Sequence, residues 1–474
     1  MNFLLSRFTT YKKRCAVTAC FFLFGVGGCT TFSQDRGFDA VKSLTKDRLH
    51  QDVAWSRSDA DTDTVRHTVQ QRLTQPLTAD DAVQIALLNN RGLQATYSEL
   101  GIAEADLVQA SWMRNPGFSF MRERAGDEKR IERTFTVDFI SLLMAPLATK
   151  IEGRRFEQTK LMVANEALRV AAETKKTYYK AVAAAQTVQY MTQVKTAADA
   201  GAELAHRMVR AGNWSKLDQA REQMFYADAV AQLARAKQMA VTEREKLIRL
   251  MGLSGDDIQF QLFDRLPDLP TASLALTDLE VIAIHQRLDI QAAKLETEGL
   301  ATSLGLTKTT RFVNVLEASY LRNSETGKPS ETGYEISLEI PLFDWGGARI
   351  AKAESMYMQA VNRVAEIAVN ARSEVRETHA GYLTAYELAR HYRDEIVPLR
   401  KKISDEFLTR YNGMLTSVFE LLADSREQVV AVNASIEAQR DFWLAEVDLQ
   451  TALGGKLPAT SPINSSAVKQ GLQQ

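Results

Sequence analysis

Residues that interrupt helices are scarce in this sequence. Only 24 of its 474 residues are glycine and only 10 are proline. No proline lies between Pro146 and Pro267, and none lies between Pro341 and Pro398. Because glycine and proline weaken helices more than any other residues, these two stretches predict unusually long helices.

Cysteine is absent after position 29. The three cysteines are Cys15, Cys20 and Cys29, so the rest of the chain can form neither a disulfide framework nor a thiolate metal site. The histidines include no pair separated by two or three residues, the spacing with which a helix presents two imidazoles to one metal ion. The sequence therefore predicts no metal site and no soluble cofactor.

An excess of charge of one sign is also missing. Lys and Arg number 58, Asp and Glu number 59, and the net charge is −1. A nucleic-acid-binding surface needs a basic excess, so no nucleic acid partner is predicted. The chain also lacks a GxxxxGK[ST] phosphate loop and a convincing Ser, His and Asp set. We therefore expect that the protein is not an enzyme.

The first 28 residues resemble a bacterial lipoprotein signal peptide. A basic segment at 12–14 precedes an apolar run that is shorter than the roughly 20 residues of a membrane-spanning helix. Val26-Gly27-Gly28-Cys29 then resembles the lipobox, whose cysteine receives acyl chains after cleavage. The resemblance implies a covalent lipid on Cys29, and Thr30 instead of aspartate favours the outer membrane. The alternative is an ordinary signal peptide with an incidental cysteine.

The chain repeats itself after residue 75. Asn90–Ala95 resembles Arg287–Ala292 at an offset of 197, and Met251-Gly252 resembles Leu453-Gly454 at an offset of 202. Their shared order favours a duplicated domain, with repeats at about 76–265 and 266–456 and a tail at 457–474. Residues 29–75 are polar and aperiodic, and we predict an extended, lipid-anchored strap there.

Each repeat is predicted to contain a helix, two strands, a very long helix, a tight turn and a returning helix. The strands are expected at about 117–140 and 313–340, where apolar and polar residues alternate. Alternation means that one side of each strand meets an apolar environment and the other meets water. A half-buried sheet on a soluble core is the alternative, but the flanking helices are too long to fold back over it.

The predicted helices have recognisable ends. The first begins at Thr78 and is stopped at Asn115–Gly117. The long helices are expected from about Glu152 to Val209 and from about Ala348 to Arg410, with a kink at Pro398.

Both long helices are predicted to reverse at a glycine, in turns at about 210–215 and 410–416. Gly212 and Asn213 lie in the first turn, and Asn412 and Gly413 lie in the second. The two glycines are 201 residues apart. Glycine and asparagine readily adopt the left-handed conformation that ends helices.

These features resemble the TolC-type outer membrane factor family of Gram-negative bacteria. The resemblance rests on Leu77–Ala82, Leu87–Asn90, Ile340–Gly347 and the two turns, of which Pro-Leu-Phe-Asp-Trp-Gly-Gly is the most specific. It implies a mainly α-helical fold with a transmembrane β-barrel. Three chains would contribute four strands each to a twelve-stranded barrel joined to a periplasmic α-helical tunnel. Geometry independently favours the trimer, because four strands cannot enclose a water-filled bore.

The resemblance also implies a function. The protein would be the passive outer-membrane exit duct of a tripartite efflux system, working with a periplasmic adaptor protein and an inner-membrane transporter. Small solutes, either heavy-metal ions or drugs, would be exported. The alternative is a lipid-anchored periplasmic coiled-coil scaffold without a pore, which leaves the paired strands unexplained.

In such a barrel the alternation assigns the strand residues to two sides. The residues expected to face lipid are apolar: Phe135, Val137, Phe139, Tyr334, Ile336, Leu338 and Ile340. The residues expected to face the lumen are polar: Asp138, Glu335, Ser337 and Glu339.

The periplasmic turns are expected to hold the gate and to contact the adaptor. The family often has a D-x-x-D pair after the second turn, but Phe419 and Leu422 occupy those positions. The candidate gate residues are therefore the nearest acids and this phenylalanine: Asp218, Phe419, Glu420 and Asp424. Acidic rings would favour cations, and Phe419 would form an apolar constriction. The alternative is that the acids only lie on solvated helix faces.

Overall fold

A computed structural model describes residues 31–274, 278–310, 315–339 and 342–456. The predicted signal peptide, Cys29, Ile340, Pro341 and the tail at 457–474 lie outside the described residues.

Two helices occupy the segment that was expected to be an extended strap. They are α1 (Phe38–Leu49) and α2 (Asp59–Leu73). Ser58 begins α2 with a capping box: its hydroxyl accepts from the Asp61 N–H at 3.2 Å, and its own N–H donates to the Asp61 carboxylate at 3.0 Å. The prediction of an extended strap is wrong, because local capping stabilises helices that show no strong apolar periodicity.

The two halves of the body contain the same elements in the same order. The first half contains, in order, α3 (Ala79–Asn89), α4 (Arg91–Ser111), β1 (Gly117–Ala125), β2 (Glu128–Asp138), α5 (Phe139–Arg210) and α6 (Lys216–Met251). The second half contains α7 (Leu279–Gln286), α8 (Leu288–Thr309), β3 (Leu316–Glu325), β4 (Glu331–Leu338), α9 (Gly347–His391), α10 (Val397–Asn412) and α11 (Val418–Ala452).

The helix predicted to run from Thr78 to about Asn115 is in fact two helices. Thr78 caps α3 as predicted, by accepting from the Asp81 N–H at 3.0 Å. At Asn90 the backbone is extended, and the Asn90 side chain accepts from the Leu93 N–H at 2.9 Å. This second cap begins α4, so the break has a local cause.

The long helices also differ in detail from the prediction. α5 contains 72 residues and begins at Phe139, well before Glu152, with Pro146 inside it. One proline removes one hydrogen bond, which a helix of this length tolerates. A five-residue π-helical turn at Tyr392–Ile396 separates α9 from α10, just before the kink predicted at Pro398.

A search of the described helices for a membrane-spanning segment finds none with the necessary length and apolarity.

The strands form one antiparallel sheet in the order β1-β2-β3-β4. The central pairing joins the two halves of the chain, with Phe135 opposite Tyr320 and Asp138 opposite Glu317. Strands β1 and β4 are the two edges. Because no other described strand pairs with either edge, both present unpaired backbone groups.

The described residues divide into two compact units. One unit holds the sheet and the helix ends beside it, at 31–37, 101–157 and 296–359, and the other holds the remaining helices, at 38–100, 158–295 and 360–456. Each unit takes segments from both halves, so the units do not coincide with the sequence repeats.

A close contact in the helical unit explains two of the sequence motifs. The Asn89 amide donates to the carbonyl oxygens of Met251 and Gly252 at 3.0 and 2.8 Å, and the Asn90 amide donates to that of Leu250 at 2.8 Å. Gly252 has φ +67°, and a Cβ there would lie 2.6 Å from the Asn89 carbonyl oxygen. Only glycine fits this position.

Candidate functional site

The register of the sheet gives it two chemically different faces. Residues directly opposite each other on neighbouring antiparallel strands point to the same side, and side chains alternate along each strand. One row of opposed residues therefore joins Phe118, Phe135, Tyr320 and Tyr334. We call the side that carries this row the aromatic face and the other side the acidic face.

The aromatic face exposes large apolar side chains. The exposed fraction is 87% for Tyr334, 73% for Ile336 and 68% for Phe118. Its apolar residues also include Phe120, Phe135, Val137, Tyr320 and Leu338. So large a contiguous apolar patch marks a surface that is covered in the working protein.

The acidic face carries eight carboxylates within the four strands. They are Glu123, Glu128, Glu132, Asp138, Glu317, Glu325, Glu331 and Glu335. The one basic residue of this face is Arg130, which pairs with Glu132 at 2.5 Å. The candidate lumen residues Asp138 and Glu335 thus share one face. Glu339 follows the end of β4, and its N–H donates to the Val315 carbonyl oxygen at 3.3 Å.

Asp138 also ends its strand. Its carboxylate accepts from the Ser141 N–H at 3.1 Å and lies 3.4 Å from Arg114, as an N-terminal helix cap does. Phe139 is therefore the first residue of α5. Its expected place in the lipid-facing strand is wrong, because the cap switches the backbone from strand to helix one residue earlier.

The described part of the most specific sequence motif, 342–347, directly precedes and begins α9. The Gly346 N–H donates to the Asp344 carboxylate at 2.8 Å, and Gly346 has φ +75°, which favours glycine. Phe343 is fully exposed and Trp345 is 64% exposed. Exposed aromatic residues beside an apolar face are typical of the boundary between lipid and water.

The first helical tip, between α5 and α6, is built as predicted. Gly212 has φ +75°. Its N–H donates to the Val209 carbonyl oxygen at 3.0 Å, and the Asn213 N–H donates to that of Met208 at 2.9 Å. This is the Schellman motif, in which a left-handed residue ends the helix.

The second tip, between α10 and α11, uses a different residue from the one predicted. Gly413 has φ −82°, and Met414 has φ +57°. The Met414 N–H donates to the Tyr411 carbonyl oxygen at 3.0 Å, and the Leu415 N–H donates to that of Arg410 at 2.8 Å. Met414 is therefore the counterpart of Gly212, at an offset of 202. Both Asn412 and Gly413 precede the left-handed position, so that part of the prediction is wrong.

Two of the candidate gate acids cap the returning helices. The Asp218 and Glu420 N–H groups donate to Ser215 and Ser417 at 3.1 and 3.2 Å, and each carboxylate bonds back to its serine. Hydrogen bonds from the Thr416 hydroxyl and the Ser417 N–H lower the pKa of Glu420 below its ordinary value of 4.5. These contacts fix both acids at helix starts.

Of the other two candidates, Phe419 directly precedes Glu420, and Asp424 lies one turn after it. Phe419 is half-buried, with the Arg221 guanidinium 5.6 Å from its ring centre. Asp424 is 7% exposed, and one of its carboxylate oxygens has no hydrogen-bond partner among the described residues.

Sequence reasoning missed the most buried acid near the tips. Glu222 on α6 is 1% exposed and forms an ion pair with Arg426 on α11. The Arg426 guanidinium also lies 4.9 Å from the centre of the Phe225 ring. Glu222 and Asp424 are 202 residues apart, which is the offset between Met251-Gly252 and Leu453-Gly454 in the sequence, and this offset would have identified Glu222 as the counterpart of a chosen candidate.

The N-terminal segment is held close to the sheet end of α4. The Ser33 N–H donates to the Glu104 carboxylate at 2.7 Å, and the Ser33 hydroxyl donates to the same oxygen at 2.5 Å. Glu104 is 3% exposed. Ser33 is four positions after Cys29 in the sequence.

No family model matches the chain. The cobalt-zinc-cadmium resistance protein CzcC of Cupriavidus metallidurans is 23% identical over 276 residues, which cover 57% of this chain and 64% of that protein. The chain thus matches less than two thirds of the length of this relative.

Three solved structures have the same architecture. A structure of CusC matches with a TM-score of 0.67 and 15% identity, over 81% of this chain and 94% of that one. The outer-membrane channel OprN matches with a TM-score of 0.66 and 17% identity, over 87% and 95%. The Campylobacter jejuni CmeC outer membrane channel matches with a TM-score of 0.65 and 16% identity, over 83% and 89%. The chain has the outer membrane factor fold. The predicted mainly α-helical fold is confirmed, and the four predicted strands form one small antiparallel sheet.

Proposed function

We propose that this protein is the outer-membrane exit duct of a tripartite efflux system and that it works as a homotrimer. The observation that carries the proposal is the sheet, which has an exposed aromatic face, an opposite acidic face and two open edges. The outer membrane factor fold supports it, because solved structures with this fold are named as outer membrane channels.

The open edges support assembly. In lipid each unpaired backbone group costs several kcal/mol, so β1 and β4 require partners there. Joining β4 of one copy to β1 of the next satisfies both edges, and three copies give twelve strands. A twelve-stranded barrel is wide enough for a water-filled bore, whereas four strands cannot close at all.

In such a barrel the aromatic face meets lipid and the acidic face lines the bore. Three copies would bring together the acids of that face, including the candidate lumen residues Asp138, Glu335 and Glu339. Rings of carboxylates favour cations over anions. Divalent metal cations are therefore our preferred substrates over drugs, in line with the name of the CzcC relative.

The two ends of the duct have separate proposed roles. A lipid on Cys29 would anchor the chain to the outer membrane. The contact between Ser33 and Glu104 would keep the segment that joins the lipid to the fold short. The helical tips, with Asp218, Phe419, Glu420 and Asp424, would hold the periplasmic gate and meet an adaptor protein that couples the duct to an inner-membrane transporter. No cofactor is proposed apart from the lipid.

Conductance in a planar bilayer tests the proposal. We expect discrete openings and a reversal potential that reports cation preference. Glu335→Gln should lower that preference, and Arg322→Gln, on the opposite face, should leave it unchanged. A heat-sensitive trimer in mild detergent is expected in parallel. A stable monomer that leaves the bilayer silent would support the pore-free scaffold instead.

A further inference from the structure

The aromatic face changes character toward the hairpin turns, where it becomes basic. Five cationic side chains follow its apolar rows: Arg122, Arg124, Lys129, Arg133 and Arg322. We call them the basic band. Within the strands this face carries no acidic residue, so its charge is entirely of one sign while the opposite face is acidic.

The register places two pairs of these cations directly opposite each other. Arg124 faces Lys129 across β1 and β2, and Arg133 faces Arg322 across β2 and β3. Like charges at directly opposed positions destabilise a sheet. An anion between the two members of each pair removes this repulsion.

The described residues do not supply that anion. None of the five cations forms an ion pair with a described residue, although the Arg124 Nε donates to the Gly126 carbonyl oxygen at 3.1 Å. The Arg133 guanidinium lies 5.9 Å from the centre of the Phe120 ring, which leaves its donors free for an external acceptor. The counter-anion must therefore come from the surroundings.

The position of the band selects a lipid as the source. Successive rows of side chains on one face are two residues, or about 6.6 Å, apart along the strands. The basic band begins with Arg133 and Arg322, one row beyond the row that contains Phe118 and Tyr334. A surface that is apolar and then basic is complementary to a lipid with acyl chains followed by an anionic headgroup. Arginine is especially suited to phosphate, which it binds with two parallel hydrogen bonds.

We propose that the basic band binds the phosphate groups of membrane lipids, with the lipid chains lying on the apolar rows. Each phosphate would bridge one of the opposed pairs. This inference rests on the proposed function, because it requires the aromatic face to meet lipid. It goes beyond that function by assigning a specific lipid headgroup chemistry to five residues.

Titration of the purified full-length protein with bisphosphorylated lipid A, measured by native mass spectrometry, tests the proposal. Dephosphorylated lipid A and inorganic phosphate alone serve as the other two probes. We expect binding of the bisphosphorylated lipid, and binding that is about five-fold weaker for each cation removed. Arg133→Gln with Arg322→Gln should therefore weaken binding by roughly 25-fold.

Arg130→Gln is the matched control for Arg133→Gln, since each removes one positive charge from β2, the first on the acidic face and the second on the aromatic face. It should leave lipid binding unchanged. Equal binding of dephosphorylated lipid A, equal binding of inorganic phosphate alone, or equal losses in Arg130→Gln and the double variant would each overturn the proposal.

Conductance of each variant separates this result from the proposed function. A double variant that conducts normally but no longer binds the lipid supports the lipid site on an intact duct. A protein that conducts and shows no preference for phosphorylated lipid overturns only the lipid site. A wild-type protein that is silent in bilayers overturns the duct, whatever its lipid binding.

Discussion

The two helical tips have the same construction and expose different side chains. Each ends its long helix with a Schellman motif and begins the returning helix with a serine cap and an acid three residues later. At the left-handed position the first tip has Gly212 and the second has Met414. Met414 and the following Leu415 are 94% and 81% exposed.

The difference shows that the second tip is not optimised for stability. A left-handed conformation at a residue other than glycine destabilises the fold by roughly 1 kcal/mol. The two exposed apolar side chains add no stabilising burial. Positions that break a local rule in this way are typical of functional surfaces. The second tip is therefore the better candidate for contact with a partner or for movement.

The buried acids near the start of the two returning helices also differ, because only the acid of the first tip has a charged partner. Glu222 is neutralised by Arg426, while its counterpart Asp424 keeps one unpartnered oxygen among the described residues. The ion pair of Glu222 thus joins α6 to α11. Asp424 forms no such ion pair with a described residue.

The largest expected effect comes from removing the ion pair between Glu222 and Arg426. Glu222→Ala should lower the free energy of opening of the tips by about 3 kcal/mol, because it leaves Arg426 partly buried without its partner. Hydrogen exchange of the amides in α6 and α11 measures this. Asp424→Ala is the matched control and should have a clearly smaller effect. Equal losses in the two variants would contradict the comparison.

A smaller effect is expected at the first turn. Gly212→Ala should destabilise the α5 to α6 tip by about 1 kcal/mol, since alanine is strained at φ +75°. Gly413→Ala is the control, because Gly413 has an ordinary negative φ. Faster amide exchange at 208–213 in the first variant only would support the assignment of the left-handed position.

At the second turn we expect a substitution to stabilise the tip and not to destabilise it. Met414→Gly should stabilise that tip by somewhat less than about 1 kcal/mol, because removal of strain is partly offset by the greater freedom of glycine in the unfolded chain. Slower amide exchange around 410–415 is the readout. If Met414 contributes to function, the same variant should also lower export. Faster exchange would show that the methionine side chain stabilises the turn.

The smallest effect is expected from the cap at Glu420, which is exposed. Its folded pKa is depressed, so its stabilising contribution is present above the ordinary value of 4.5 and is lost as the pH falls through the lower folded value. Fraying at the start of α11, followed by amide exchange, should increase over that range. Glu420→Gln should abolish this pH dependence, and an unchanged profile would exclude Glu420 as its source.

Much of the architecture could be predicted because its signals are local. The scarcity of glycine and proline indicated the long helices, and Tyr334–Leu338 alternates clearly enough to indicate a strand. The alternation is hidden at the start of β2, because Glu128–Arg133 carries charged residues on both faces. The same reasoning missed α1 and α2, whose apolar periodicity is weak.

The candidate site was only partly predictable. Asp218 and Glu420 were identified as acids close to the turns, but their role as caps depends on hydrogen bonds to serines that the sequence pattern had not assigned. Glu222 was missed because a buried acid looks like any other acid in a charged helix. The basic band was missed for a similar reason, since only cross-strand pairing brings Arg133 beside Arg322.

The sequence by itself determined the helix-rich class, the order of elements in each half, and the helix cap at Thr78, because each follows from neighbours a few residues apart. Only the tertiary structure decided the register of the sheet, the identity of the left-handed residue in the second tip and the partner of Glu222. These depend on residues from distant parts of the chain, or on competition between adjacent residues for one turn position. Local propensity carries no information about contacts between distant residues, and it carries too little to decide which of two adjacent residues adopts the left-handed conformation.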